Sequence, residues 1–151
     1  MRVVVISGYF NPIHTGHLDY IDNAAALGDH LVVIVNSDEQ VSVKGSFPFM
    51  DQKARKRIVE SIKNVDSAII SIDTDASVVK TLEQIFLAYS NQESHFKEMI
   101  FANGGDRKKG IVPEADLCER LGITQKYGVG GEKTESSSNL INIHTSKIRG
   151  V

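Results

Sequence analysis

The sequence is short of several things, and each shortage narrows the field. It has a single cysteine, Cys118, so no internal disulfide framework can form. That suits a reducing compartment. No apolar run reaches the roughly 20 residues a helix needs to span a bilayer. The chain opens on an apolar, strand-like segment with no charged, apolar, small-residue leader, so a cytoplasmic location is expected. The formal net charge is -2. A large nucleic-acid footprint is therefore not expected. Neither the GxGxxG dinucleotide fingerprint nor a P-loop ending in GK[ST] is present, which disfavours a nicotinamide oxidoreductase. There is no internal repeat or linker, and the only low-complexity tract is Ser136-Ser137-Ser138.

What is present is an alternation of strands and helices. The 151 residues fit one domain spanning 1–151. Arg2 to Ser7 is a valine-rich apolar run, the pattern of a strand buried on both faces. Thr15 to Leu27 carries Leu18, Ile21 and Ala25 at helical spacing, with Gly28 placed to end it. His30 to Asn36 repeats the buried-strand pattern. Asp51 can cap a helix bearing Ala54, Ile58 and Ile62. Ser67 to Ile72 reads as a third strand, and Asp75 can cap a helix holding Val78, Leu82, Ile85 and Tyr89. Met99 to Ala102 is a short fourth strand. Pro113 suits the first turn of a helix running to Leu121, closed by Gly122. Ile123 to Val129 is read as a fifth strand, and a terminal helix is expected from Asn139. Such alternation calls for a parallel sheet with right-handed crossovers and helices on both faces.

In an open parallel sheet, ligands bind beyond the carboxyl ends of the strands. Residues 8 to 17, GYFNPIHTGH, fall there if the first strand is central. His14 stands just before the following helix and His17 in its first turn. Gly16 between them has no Cβ to keep an anion from the backbone. The helix end adds amide donors and partial positive charge. The expected ligand is a polyphosphate, and the expected reaction is attack on phosphorus. A pair of surface or capping histidines is the plainer reading, and a zinc site is a third, but no second cluster with ligand spacing accompanies the pair.

These residues resemble a family. GYFNPIHTGH is similar to the GxFDxxHxGH signature of the cytidylyltransferase-like nucleotidyltransferase superfamily. VNSDEQVSVKGSFPFM resembles its second strand and Lys-Gly loop, and RKRIVESIKNVD its arginine-opened helix. NGGDR resembles the turn after strand four, and KTESSSNL, more loosely, a C-terminal Arg-Thr-Glu and Ser-Thr-Thr segment. Glycerol-3-phosphate cytidylyltransferases and heptose-1-phosphate adenylyltransferases share this set. The resemblance implies a Rossmann-like α/β domain whose five-stranded parallel sheet has the order 3-2-1-4-5. It implies transfer of a nucleoside monophosphate from ATP or CTP to a small phosphorylated alcohol or sugar, with release of pyrophosphate. A catalytically silent nucleotide-binding module is the alternative.

By the same resemblance His14, His17, Lys44 and Arg55 are the catalytic set. His14 and His17 bind the α- and β-phosphates, Lys44 approaches the attacking phosphate, and Arg55 grips substrate phosphate. Gly8, Tyr9, Phe10, Asn11, Gly16, Gly104, Gly105, Asp106, Lys133, Ser136, Ser137 and Ser138 are the expected nucleotide-binding residues. HTSKIR, residues 144 to 149, competes with the triple serine as the triphosphate clamp. Magnesium is expected to arrive on the triphosphate, with no dedicated protein ligands. A homodimer pairing near the first strand and helix, close to Lys63 and Asp66, is also implied.

Two departures matter. Asn11 stands where many relatives have aspartate, an acceptor only, whereas asparagine also donates. Gly105 stands where the cytidylyltransferases have a carboxylate suited to the exocyclic amine of cytosine. That leans towards ATP.

Overall fold

A computed structural model describes residues 1–105 and 112–130. Its five strands are β1 (Arg2–Gly8), β2 (His30–Val35), β3 (Ser67–Ile70), β4 (Glu98–Ala102) and β5 (Thr124–Lys126). They form one sheet in the order β3-β2-β1-β4-β5. Every pairing is parallel, with Val5 opposite Val32 on one side and opposite Phe101 on the other. The described helices are α1 (Thr15–Ala25), α2 (Asp38–Val43), α3 (Gln52–Glu60), α4 (Val79–Gln92) and α5 (Ala115–Leu121).

The apolar run of β1 is explained by burial on both faces. Val3 and Val5 pack with Val78, Leu82 and Ile85 around α4 and with Leu117 and Cys118 of α5. Val4 and Ile6 pack with Ile21 and Ala24 of α1 and Val59 of α3. Each such side chain contributes roughly 1.5–3 kcal/mol when fully buried. The chain lays down β2 and β3 on one side of β1, then crosses to place β4 on the other. The reversal makes the carboxyl ends of β1 and β4 the switch point where an open sheet accepts a ligand.

Local signals hold in part. Asp51 caps α3 by accepting from the Ala54 amide at 2.8 Å, and Gly122 closes α5 in the left-handed region at φ 73°. Elsewhere the structure corrects the expectation. The helix α1 ends on Ala25 with a right-handed cap at Ala26, before Gly28. Gly28 is needed for a close pass, since a Cβ there would lie 2.8 Å from the Arg2 carbonyl oxygen and from a Val4 methyl. Asp75 does not cap α4. Its carboxylate accepts from the amide and hydroxyl of Ser77, which hold its pKa below the ordinary value. The α4 amides are met by Asp73, which accepts from Lys80 N and Thr81 N, both at 2.9 Å. Helix α5 begins at Ala115, two residues after Pro113, and β5 is only three residues long. The expected helix from Asn139 lies outside the described residues.

Candidate active site

The turn from β1 into α1 is built around its two histidines. His14 is the N-cap of α1, and its Nδ1 accepts from the Gly16 amide at 3.1 Å. His17 Nδ1 accepts in return from the His14 amide at 3.0 Å. This is a capping box, the reciprocal arrangement that Ser and Glu usually provide, here made of two imidazoles. The chemical consequence is a fixed tautomer. A ring nitrogen that accepts from an amide carries no proton, so each neutral ring carries its proton on Nε2. The two rings lie against each other with centroids 3.9 Å apart. The helix start thus presents a pair of Nε2–H donors where the macrodipole favours negative charge.

Phe10 supports that pair from below. Phe10 is 1% exposed, so it meets the histidine turn through packing. Its ring meets His17 edge-on, with centroids 5.0 Å apart. Gly8 lets the ring fold back over the end of β1, because a Cβ there would lie 2.8 Å from the ring tip. Phe10 itself adopts φ 50°, a left-handed conformation that costs a non-glycine residue on the order of 1 kcal/mol. Tyr9 lies beneath Lys44, whose Nζ is 4.4 Å from the ring centroid. Lys44 is the C-cap of α2, a helix that the sequence reading passed over.

Arg55 occupies a different position from the one expected of a substrate clamp. Its side chain is fully buried and paired with Asp38 at 2.7 Å. Nη1 donates to the carbonyls of Tyr9 at 2.8 Å and Asn36 at 2.7 Å, and Nε donates to Met50 O at 3.0 Å. No two parallel N–H groups remain for a bidentate grip on phosphate. The guanidinium instead binds together the ends of β1 and β2, the start of α2 and the approach to α3.

Asn11 has a structural job too. Its Nδ2 donates to Phe47 O at 2.9 Å, and its Oδ1 accepts from Phe49 N at 2.8 Å. One carboxamide thereby fastens the loop before α3 to the histidine turn. An aspartate would accept from Phe49 but could not donate to Phe47. Gln40, 0% exposed, completes the brace and was missed in the sequence. Its Oε1 accepts from Ser37 N and Asn36 Nδ2, while its Nε2 donates to the carbonyls of Asp75 and Ser77. The signal was legible, since Ser37 and Gln40 have the S-x-x-Q spacing of a capping box.

On the other side of the switch point, β4 runs into Asn103, Gly104 and Gly105. Gly104 packs on the Tyr20 ring, where a Cβ would come within 3.1 Å. The Tyr20 hydroxyl donates to Ala102 O. Gly105 has φ 60°, open to glycine without strain. The Asn103 side chain is buried with its Oδ1 unpartnered among the described residues. Asp106, Lys133, Ser136, Ser137, Ser138 and the 144–149 segment lie outside the described residues. The described residues include no group of three His, Cys, Asp or Glu able to hold a metal ion. Imidazoles and helix amides suit an anion, so the histidine turn does not itself build a magnesium site. Cys118 is buried, and burial raises its thiol pKa to about 11, with the Glu114 charge adding to the shift. It is not poised as a nucleophile. A groove of about 460 Å³ lies along the outer edge of β3, lined by Lys56, Ile69 and Tyr89 among others, and takes in none of the histidine turn.

The cytidylyltransferase-like family model matches residues 5–151. The chain belongs to that family. It is a nucleotidyltransferase, an enzyme that moves a nucleoside monophosphate from a nucleoside triphosphate. The chain is 38% identical over 140 residues to an FAD synthase of Ferroglobus placidus, covering 83% of this chain and 88% of the relative. It is 33% identical over 132 residues to the bifunctional protein HldE of Actinobacillus pleuropneumoniae, of which the match spans only 27%. Among solved structures, a lipopolysaccharide core biosynthesis protein from Thermoplasma volcanium superposes with a TM-score of 0.64 at 29% identity, covering 85% of this chain and 94% of that one. No helix among the described residues is long and apolar enough to cross a membrane.

Proposed function

We propose that this nucleotidyltransferase is an adenylyltransferase that joins AMP from ATP to the phosphate of flavin mononucleotide. The observation that carries the phosphate chemistry is the two-histidine capping box at the switch point. The Nε2–H groups of His14 and His17, at the positive end of the α1 dipole, hold the α- and β-phosphates. A phosphate oxygen of the acceptor attacks the α-phosphorus in line. The bond to the β-phosphate oxygen breaks, and pyrophosphate leaves. Charge that builds on the phosphate oxygens meets donors already fixed in place by their caps, which is where such sites gain most of their rate. Lys44 approaches the attacking phosphate from the end of α2. Arg55 acts as a positioning residue, through the backbone of Tyr9 and Asn36. Magnesium on the triphosphate would neutralise part of its charge. Asp106, Lys133 and the triple serine remain proposed nucleotide contacts, with 144–149 the other proposed clamp.

The base and the acceptor rest on different supports. Gly105 offers no carboxylate to a cytosine amine, and it leaves room for a purine. The FAD synthase relative is matched over most of its length, which favours the flavin acceptor over a sugar phosphate. We read the protein as a cytoplasmic homodimer. Incubation with magnesium, ATP and flavin mononucleotide should release pyrophosphate and form FAD, with little product from CTP. Pyrophosphate release only with sugar phosphates would overturn the acceptor. Tight nucleotide binding without turnover on any acceptor would mark the silent module.

A further inference from the structure

Among the described residues seven large apolar side chains are exposed, and three of them, Val43, Phe47 and Phe49, fall within seven residues of each other. The chain has six phenylalanines, and only Phe47 and Phe49 belong to this exposed set, at 63% and 49%. Adjacent exposed rings, unlike apolar side chains scattered singly, mark a binding surface. These two are not on a loose loop. Asn11, itself 8% exposed, accepts from the amide of Phe49 and donates to the carbonyl of Phe47. Pro48 between them fixes its own φ. The ring centroids are 4.7 Å apart at 49°, a contact that leaves open ring surface. Asn11 lies three residues before His14, and the same loop follows Lys44 at the end of α2. The Asn11 carboxamide thus fastens the loop that carries both rings to the histidine turn, and Lys44 stands three residues before Phe47. Between Gly45 and Met50 the only side-chain hydroxyl is that of Ser46. The loop is poorly equipped to hydrogen-bond a polyol and well equipped to stack on a flat ring.

We propose that Phe47 and Phe49 form the platform for a planar heteroaromatic ring of the acceptor, with the acceptor's phosphate directed towards Lys44 and the histidines. The proposal rests on the adenylyltransferase reading for its phosphate end, while the platform itself is tested by binding alone. Titrating flavin mononucleotide should quench its fluorescence on the wild-type protein, as stacking on an aromatic side chain does. Phe47→Ala and Phe49→Ala should each weaken that binding on the order of tenfold, and Phe47→Tyr should keep it. In turnover, KM for flavin mononucleotide should rise by a similar factor, with kcat and KM for ATP changed by less than about threefold. The platform is overturned if both alanine variants bind the flavin as the wild type does. It is equally overturned if they change only the mass seen by light scattering, because the rings would then cover a second copy of the chain. Formation of FAD with the wild-type KM in both alanine variants would overturn the platform and leave the acceptor reading standing, whereas turnover with sugar phosphates alone would overturn both.

Discussion

The two sides of the switch point are built on different plans. On the β1–β2 side, buried polar side chains tie one loop to the next. Arg55 joins Tyr9, Asn36, Asp38 and Met50, while Gln40 joins Asn36 and Ser37 to Asp75 and Ser77. On the β4 side the ties run mainly through the backbone, from Asn103 N to Lys126 O at 2.7 Å and from Val129 N to Asn103 O at 3.0 Å. Two glycines follow, and the Asn103 carboxamide oxygen has no partner among the described residues. The difference matches the two tasks proposed for these sides. Donors that meet developing charge must already be in place when the reaction starts. A surface that admits a base needs room more than bracing.

Arg55→Ala should break this contrast most severely. It strands three carbonyls, at roughly 1–3 kcal/mol for each that finds no other donor, while Asp38, 36% exposed, can turn to water. Thermal unfolding should show a fall on the order of 10 °C, and turnover should fall with it. A melting temperature within about 2 °C of wild type would mean that the guanidinium braces nothing.

A pair of glycine substitutions compares the sides directly. Gly8→Ala drives a methyl into the ring of Phe10, which is 1% exposed and rests on His17. Overpacking of that kind costs roughly 1–3 kcal/mol and should disturb the histidines, lowering kcat. Gly104→Ala meets the ring of Tyr20, which is only partly buried and can give way. It should cost less than about 1 kcal/mol and act mainly on KM for ATP. Equal losses in the two variants, read by denaturant unfolding and steady-state kinetics, would erase the distinction between braced and open sides.

Much of the fold was legible because β1 and β2 are buried on both faces, and their apolar runs say so. Helical spacing found α1, α3 and α4. The six residues of α2 are too few to show a period, although Ser37 and Gln40 announced its start. Asp73 and Asp75 stand two apart, and sequence alone does not say which carboxylate reaches the α4 amides. Histidines at 14 and 17 stood out as a pair at a helix start, with capping as the plain reading and phosphate binding as the functional one, and the structure shows the capping. Arg55 was the hardest to read. Its partners come from three segments up to 46 residues away, and no local pattern shows those carbonyls converging on one guanidinium.

The turnover of His14→Asn tests the account most directly. Asparagine is a strong N-cap, so its side-chain oxygen can replace Nδ1 at the Gly16 amide while the Nε2–H donor is lost. If fixed imidazole donors drive adenylyl transfer, kcat/KM should fall on the order of 10²–10³, with the melting temperature nearly unchanged. A capped, stable variant that turns over at the wild-type rate would show that the His14 imidazole does nothing for the reaction beyond starting a helix.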